Sequence, residues 1–322
     1  EAHTPGEYAC LNLDIVTREE RNRQSTRMPH RMFVSVKTDS DGTEQPDHKS
    51  ASKAIELLQR DRDQPFFLAI GLVRPHYPMV APREYFDPYP IESITMPDNW
   101  KDGTSDIPKL GLAKTTNDSN SIGKYPDNQK RMWGAYYASV TFMDRQVGRI
   151  LDALEASPHR ADTAVIFTSD HGYHLGEHGF WQKSNLHEEV IRVPLMIHVP
   201  GLAGGKTNSL TELVDLYPTI CDLIGVPIPN AAQGESLTPI LADHRAVVHT
   251  EALSFQNGTS LRTDHWHYMR YLDGTEELYD MKNDPGEMTN LAQEDGSVQQ
   301  LSRLRAQLDA RLSHFTDRKT QR

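Results

Sequence analysis

A carboxylate and an imidazole stand side by side at the end of a short apolar stretch. Residues 163–172 read TAVIFTSDHG, so Asp170 and His171 follow the apolar residues and precede Gly172. The apolar residues predict a buried parallel strand, and α/β sheets place ligand sites at the carboxyl ends of such strands. Because Gly172 permits a sharp turn, both side chains can face one cation. In the structural alternative, Asp170 caps the turn and His171 is a satisfied polar residue.

A second histidine, His76, lies between two prolines. The segment RPHYP at residues 74–78 follows PFFLAIGL at residues 65–72, which predicts another buried strand. The two prolines predict a rigid, extended segment around His76. A histidine held beyond a strand end could be a catalytic acid or an anion ligand. The alternative is a loop histidine that faces water.

The elements that must position these residues follow from hydrophobic periodicity. Residues 49–60 and 213–224 predict amphipathic helices, and residues 32–36 and 193–201 predict strands. A long helix is predicted over residues 129–155 because apolar residues recur every three or four positions. Its predicted core stripe is Met132, Tyr136, Val140, Met143, Val147, Ile150 and Leu154.

The pattern changes near residue 243. Short strands separated by turn residues are predicted at 247–250, 260–263, 266–271 and 277–280, and they suggest a small antiparallel sheet. A terminal helix over residues 297–315 would pack on this sheet through its leucines. The predicted fold is therefore α/β: a mixed, mostly parallel sheet sandwiched by helices (residues 1–242), followed by a small C-terminal antiparallel α+β subdomain (residues 243–322).

Composition narrows the function. The chain has 322 residues, a net charge of -11, and 37% hydrophobic and 25% charged residues, as in an ordinary soluble protein. The acidic charge argues against a nucleic-acid partner. The sequence contains no apolar run near the roughly 20 residues that span a bilayer. No leader is recognisable, so we expect either a cytoplasmic chain or one whose beginning has been removed.

Several motifs resemble those of a known family. The segments RPHYP (74–78), TSDHG (168–172), GEHGFWQK (176–183) and RVPL (192–195) occur in an order and spacing that resemble the sulfatase family. The ending LYDMKNDPGEMTNL at residues 278–291 is similar to its C-terminal signature. Within the family, the motifs look most like the iduronate-2-sulfatase branch. The resemblance implies an alkaline-phosphatase-like fold, a sulfated sugar or glycosaminoglycan as substrate, and an exported or lysosomal location.

The resemblance also implies roles for single residues. Asp170 and His171 match family positions that bind calcium, although a hard cation prefers oxygen to the nitrogen of His171. Lys183 and His76 match residues that hold the sulfate oxygens and assist the leaving group. A compact ammonium suits sulfate, and an imidazole can lend a proton near neutral pH.

The sequence departs from the family in its nucleophile. Sulfatases convert the first residue of a Cys/Ser-x-Pro-x-Arg motif to formylglycine, and neither Cys10 nor Cys221 begins such a motif. The aspartate pair that the family contributes to calcium from its first strand is also missing. Both features lie upstream of the matched motifs in family members. We therefore expect this chain to be the C-terminal part of a longer enzyme, in which the upstream part supplies formylglycine and completes the calcium site.

Substrate contacts remain open. Arg262, His265 and His267 are candidates to bind a sugar carboxylate, with solvated strand faces as the alternative. Tyr173 and His174 could line the substrate side or pack as aromatic residues, and His178 could support the site or pack in its loop.

Two other functions are compatible with the sequence. The first is a phosphatase or phosphonate hydrolase of the same superfamily. The second is a catalytically inactive fragment that binds glycans.

Overall fold

The computed structural model describes residues 35–101, 103–117 and 126–320, which form two compact units. Unit 1 comprises the described residues of Glu1–Pro97 and Thr115–Thr163, and unit 2 comprises those of Asp98–Lys114 and Ala164–Arg322. The subdomain boundary at residue 243 stays a prediction.

Unit 1 combines a parallel strand pair with two helices. Strand β1 (Ser35–Thr38) pairs in parallel with β2 (Met79–Pro82). Helix α1 (Pro46–Leu58) lies between them in the chain, and helix α2 (Pro126–Glu155) comes after them. The other elements are the 3₁₀ helices Arg83–Phe86 and Ile91–Ser93 and the two-residue strand β3 (Thr115–Thr116).

Both predicted helices of unit 1 are confirmed, but the buried face of α2 is rotated from the predicted stripe. The fully buried line runs through Met132, Ala135, Ser139, Phe142 and Gln146, whereas most of the predicted stripe is only half-buried. This line includes the small residues Ala135 and Ser139 and the polar Gln146, so it could not be found from hydrophobicity alone.

The strand predicted over residues 65–72 is wrong, because this part of the chain is irregular and the side chain of Phe67 is 75% exposed. The residues that directly follow this segment are held by a side chain rather than by a neighbouring strand. The buried carboxylate of Asp47, in the first turn of α1, accepts hydrogen bonds from the backbone nitrogens of Val73 (2.6 Å) and Arg74 (3.0 Å). Of the strand predicted at residues 32–36, residues 32–34 lie outside the described part.

Unit 2 begins with two antiparallel pairs. Strand β4 (Val165–Thr168) pairs with β7 (Leu195–His198), and β5 (His174–Leu175) forms a hairpin with β6 (Phe180–Gln182). The other elements of unit 2 before residue 243 are helices α3 (Glu188–Ile191), α4 (Leu216–Leu223) and α5 (Thr238–Ala242), and the 3₁₀ helices Asp98–Lys101, Glu177–Gly179 and Leu213–Asp215.

The C-terminal part of unit 2 is an antiparallel sheet in the order β11-β10-β9-β8. Its elements are β8 (Glu251–Phe255), β9 (Gly258–Thr263), β10 (Trp266–Tyr271), β11 (Glu276–Asp280), the 3₁₀ helices Leu291–Gln293 and Asp295–Ser297, and helix α6 (Val298–Thr320). The predicted sheet and terminal helix are confirmed. The strand predicted over residues 247–250 is wrong: only His249 forms a bridge there, and β8 begins at Glu251. Val247 is 65% exposed, so its hydrophobic character was misleading.

Each face of this sheet is covered by a different segment. On one face, Leu301, Leu304 and Leu308 of α6 pack against Tyr268 and other sheet residues. On the opposite face, Leu186 packs with Met269, Tyr271, Tyr279 and Met281. Because Leu186 lies just beyond the predicted functional segment, the sheet directly supports that segment.

The predicted mixed α/β class with an antiparallel C-terminal sheet is confirmed. However, β4 pairs with an antiparallel neighbour, so the prediction of a parallel strand before Asp170 is wrong. An apolar run indicates burial, but the connection to the neighbouring strand decides its direction. Within the described residues, no helix is both long and apolar enough to cross a bilayer.

We predict that Leu308→Ala lowers the free energy of unfolding by about 2–5 kcal/mol, because it leaves a cavity beneath α6. Urea denaturation measures this change. The matched control is Leu272→Ala, at a side chain that is 84% exposed; it should change stability by less than about 0.5 kcal/mol. Equal effects of the two substitutions would contradict the packing described for α6.

Candidate active site

The turn after β4 is fixed by its contact with α3. The backbone nitrogen of Gly172 donates to the carbonyl of Val190 (2.7 Å), and that of Tyr173 donates to the carbonyl of Glu189 (2.9 Å). A Cβ atom at Gly172 would lie 1.9 Å from the carbonyl oxygen of Glu189. Only glycine therefore allows the turn after Asp170 and His171 to approach α3 this closely.

Lys183 reaches the same turn through the β5–β6 hairpin. In that hairpin His174 pairs with Gln182, and Gln182 has a φ of 76°, in the left-handed region that favours glycine. Such backbone strain is common at functional sites. The hairpin returns the chain so that the Nζ of Lys183 lies 2.5 Å from the Nε2 of His171.

The hydrogen bonds define the state of the His171 ring. Its Nδ1 lies 2.7 Å from the carbonyl oxygen of Gly172 and must donate a proton to it, so Nε2 is left to accept one from the Lys183 ammonium. Oδ2 of Asp170 lies 3.4 Å from Nε2, and its other oxygen accepts from the backbone nitrogen of His171 (3.0 Å). Asp170, His171 and Lys183 therefore form one cluster of a carboxylate, a neutral imidazole and an ammonium.

The cluster fits calcium in part. The side chain of Asp170 is 83% exposed and offers carboxylate oxygens, which a hard cation prefers. The His171 Nε2 points at the Lys183 ammonium, and a cation there would be repelled. Asp170 thus fits the role of a calcium ligand, whereas His171 would first have to release Lys183. Calcium bound by Asp170 would neutralise negative charge on a nearby anion.

His76 belongs to unit 1, where its segment forms a turn rather than the predicted extended chain. The backbone nitrogen of His76 donates to the carbonyl of Val73 (2.9 Å), and a guanidinium nitrogen of Arg74 donates to the carbonyls of His76 (3.1 Å) and Pro78 (3.3 Å). These bonds fold the segment against the tendency of proline to extend it. The His76 Nδ1 donates to the carbonyl of Tyr77 (2.6 Å).

Three of the predicted substrate-binding histidines are buried. His174 Nε2 bonds to Asn185 (2.9 Å), His178 Nε2 lies 3.2 Å from the amide nitrogen of Asn99, and His267 Nε2 bonds to Ser260 (2.6 Å). Burial lowers the pKa of His174 to about 3, with the charge of His187 adding to this effect. These contacts favour structural roles, and direct substrate contact by the three histidines stays a prediction.

The remaining substrate candidates, Tyr173, Arg262 and His265, are half-buried. Arg262 donates to the carboxylate of Glu188 (3.0 Å). His265 bonds to Asp280 (2.8 Å) and stacks on Trp266. Tyr173 is half-buried directly after the turn. A guanidinium nitrogen of Arg192 lies 3.7 Å from a carboxylate oxygen of Glu188.

Unit 2 also contains a buried group of charges whose pairing the sequence did not indicate. The Glu287 carboxylate accepts from Nδ1 of His187 (2.6 Å) and from Nδ1 of His267, and the Nε2 of His187 lies 3.5 Å from Glu277. Burial opposes the charge of Glu287, but the charges of His267 and His187 and their hydrogen bonds hold its pKa well below the usual value. The DPGE sequence that contains Glu287 belongs to the C-terminal family signature. It does not reveal that Glu287 pairs with His187, which is 100 positions away.

The described residues include two groups of three possible metal ligands, and neither contains Asp170 or His171. These groups are Glu188, His267 and Glu287, and Glu212, Asp215 and His249. Asp215 is saturated by His249 Nε2 (3.0 and 3.1 Å) and by the backbone nitrogens of Glu212 (2.7 Å) and Glu235 (2.8 Å). Protein groups satisfy the buried carboxylates of both groups, which argues for structural ion pairs.

The sulfatase family model matches residues 12–226, two thirds of the chain. The chain belongs to the sulfatase family. A second model, described as N-sulphoglucosamine sulphohydrolase, C-terminal, matches residues 176–316. Together the two matches cover both the turn with Lys183 and the C-terminal sheet.

Relatives of this sulfatase chain are longer than the chain itself. It is 36% identical over 258 residues to a sulfatase of Formosa agariphila, covering 77% of this chain and 50% of the relative. It is 35% identical over 223 residues to iduronate 2-sulfatase of Homo sapiens, covering 57% and 40%. A phosphonate monoester hydrolase of Agrobacterium radiobacter shares the fold, with a TM-score of 0.80, 22% identity, and coverage of 97% and 69%.

We predict that this sulfatase chain loses stability between pH 7 and 9 because of His187. Burial opposes its charge, but Glu277 and Glu287 raise its pKa to about 9 from the model-peptide value of 6.5. The folded state therefore holds a proton that the unfolded state releases, and the resulting stabilisation, about 3 kcal/mol at low pH, is lost as the pH rises through this range. Urea denaturation at several pH values measures the decline.

The control for this prediction is His187→Gln, which should show a smaller decline between pH 7 and 9. His198→Gln, at an exposed position of β7, should keep the slope of the unchanged protein. Burial raises the pKa of Glu177 from 4.5 to about 7. The stability that depends on the proton of Glu177 is therefore lost mainly between pH 4.5 and 7, below the range of this test. Identical slopes for the unchanged protein and His187→Gln would contradict the assignment.

Proposed function

We propose that the longer protein to which this chain belongs hydrolyses sulfate esters of sugars. The observation that carries the proposal is the cluster of Asp170, His171 and Lys183, because it sets a fixed ammonium and an exposed carboxylate beside one turn. Membership of the sulfatase family supports sulfate as the group that is removed. The nucleophile, formylglycine, would come from the part of the protein upstream of this chain.

The residues of this chain bind and orient the ester. Lys183 donates hydrogen bonds to the sulfate oxygens, and its charge is worth most when negative charge builds up during cleavage of the ester. His171 holds Lys183 in place through Nε2. Asp170 would hold calcium, which would supply further positive charge to the sulfate. His76 donates a proton to the leaving sugar oxygen, a role that rests on its match to the family motif.

We propose a substrate of the iduronate-2-sulfatase type, a sulfated uronate or glycosaminoglycan. The similarity to human iduronate 2-sulfatase and the motifs at residues 74–78 and 168–172 support it. Arg262 and His265 stay candidates for the sugar carboxylate, although both already bond to acidic residues.

An exported or lysosomal location is proposed on the family resemblance alone. Finding the natural protein in the cytosolic fraction of its cells would contradict it.

We predict that Lys183→Ala lowers kcat/KM for sulfate release by about 10²–10³-fold, because one fixed cation is lost. Ion chromatography of released sulfate measures it, using natural-length protein whose formylglycine has been verified by mass spectrometry. Lys206→Ala, at an exposed lysine, is the matched control and should keep full activity. His76→Ala should impair a sugar sulfate far more than an aryl sulfate, whose leaving group needs no proton.

Three outcomes would contradict this proposal. Equal activity of the Lys183→Ala and Lys206→Ala variants would exclude Lys183 from sulfate binding. Faster turnover of phosphate or phosphonate esters than of sulfate esters would assign the chain to the hydrolases whose fold it shares. Absence of any turnover by the formylglycine-containing protein would indicate a binding function.

We predict that Asp170→Asn raises the calcium concentration needed for half-maximal activity by about tenfold or more, because a neutral amide replaces a charged ligand. Calorimetric titration of calcium should show the same loss of affinity. Asp162→Asn, at an exposed aspartate before β4, should leave both values unchanged. Unaltered calcium affinity in Asp170→Asn would exclude this aspartate as a ligand.

A further inference from the structure

Glu287 occupies an unusual position in the loop between β11 and α6. Its φ is 54°, in the left-handed region, and its side chain is fully buried. Asp284 fixes the loop, because its carboxylate accepts from the backbone nitrogens of Met288 (3.0 Å) and Thr289 (2.9 Å). A strained backbone that delivers a buried carboxylate indicates a specific task for that carboxylate.

The Glu287 carboxylate connects two distant parts of unit 2. Oε1 accepts from Nδ1 of His267, the second residue of β10. Oε2 accepts from Nδ1 of His187 (2.6 Å) and from the backbone nitrogen of Glu188 (3.2 Å), at the beginning of α3. Both imidazoles and the carboxylate are fully buried, so water cannot replace these bonds. The carboxylate therefore attaches α3 to the sheet.

Both members of the Lys183–His171 contact depend on this attached segment. Lys183 precedes His187 by four residues. The carbonyls of Glu189 and Val190, within α3, accept the hydrogen bonds of Tyr173 and Gly172, the residues that follow His171. A shift of α3 would move the turn and the lysine by separate routes, and their 2.5 Å contact would be lost.

We propose that Glu287 is a positioning residue that sets the contact between Lys183 and His171, an inference that rests on the proposed sulfatase function for its effect on catalysis. Glu287 acts through α3, since its carboxylate bonds to His187, Glu188 and His267. The positions of Lys183 and His171 are the direct result, and the rate of sulfate release is the indirect one.

The test compares Glu287→Gln with Asp215→Asn in the natural-length protein. Asp215 is an equally buried carboxylate that pairs with His249 elsewhere in unit 2, so its loss should lower stability without moving α3. The first readout is the rate at which an amine-acylating reagent labels Lys183 relative to exposed Lys206, followed by peptide mass spectrometry under conditions where urea denaturation shows each variant to be folded. The second readout is kcat and KM for sulfate release.

In Glu287→Gln, the labelling ratio of Lys183 to Lys206 should rise by about tenfold, as the lysine leaves His171. The kcat value should fall by about 10- to 100-fold, as expected when a supporting contact of a functional residue is lost. In Asp215→Asn, labelling and kcat should stay within about twofold of the unchanged protein. If Glu287→Gln does not fold, Glu287→Asp replaces it, because the shorter side chain keeps the charge but displaces α3.

The proposal is overturned if Glu287→Gln and Asp215→Asn lower stability alike and leave the labelling of Lys183 unchanged. It is also overturned if both variants lower kcat to the same extent, since Glu287 would then act through stability alone. The labelling ratio does not depend on catalysis. If the unchanged protein releases no sulfate, the proposed function fails while the labelling ratio still decides the role of Glu287.

Discussion

The two backbone hydrogen bonds between the Gly172 turn and α3 are the constraint on which the candidate site depends. They join segments that are 16 to 18 positions apart and bring the turn within van der Waals contact of a carbonyl oxygen, which excludes any side chain at position 172. Asp170 and His171 directly precede this turn. The β5–β6 hairpin, whose backbone is strained at Gln182, then brings Lys183 against His171.

The C-terminal sheet supports this arrangement with two kinds of interaction. One face is apolar and packs on α6, where burial of leucine and tyrosine side chains provides stability. The other face combines apolar residues with the buried charges of His187, Glu277 and Glu287. Burying charges is costly unless they are paired, so the pairing of these residues restricts the chain to one arrangement of α3.

Sequence periodicity predicted the helices α1, α2 and α6 because each has a long amphipathic pattern. It failed at residues 65–72, which form no strand. The backbone nitrogens of the next two residues, Val73 and Arg74, donate to the carboxylate of Asp47 instead of to a neighbouring strand. Motif resemblance assigned Asp170, His171 and Lys183 to one site, and the structure places these three side chains in one cluster. The pairing of Glu287 with His187 and His267 could not be predicted, because neither hydrophobic pattern nor local spacing reports a contact between side chains 20 and 100 positions apart.

We propose that Asp170 and Lys183 prepare this turn for calcium and a sulfate group. A crystal structure of the natural-length protein, grown with calcium and inorganic sulfate, tests this most directly. We expect calcium at about 2.3–2.6 Å from an oxygen of Asp170 and a sulfate oxygen within hydrogen-bonding distance of the Lys183 Nζ. Calcium bound away from Asp170, or sulfate bound without contact to Lys183, would contradict it.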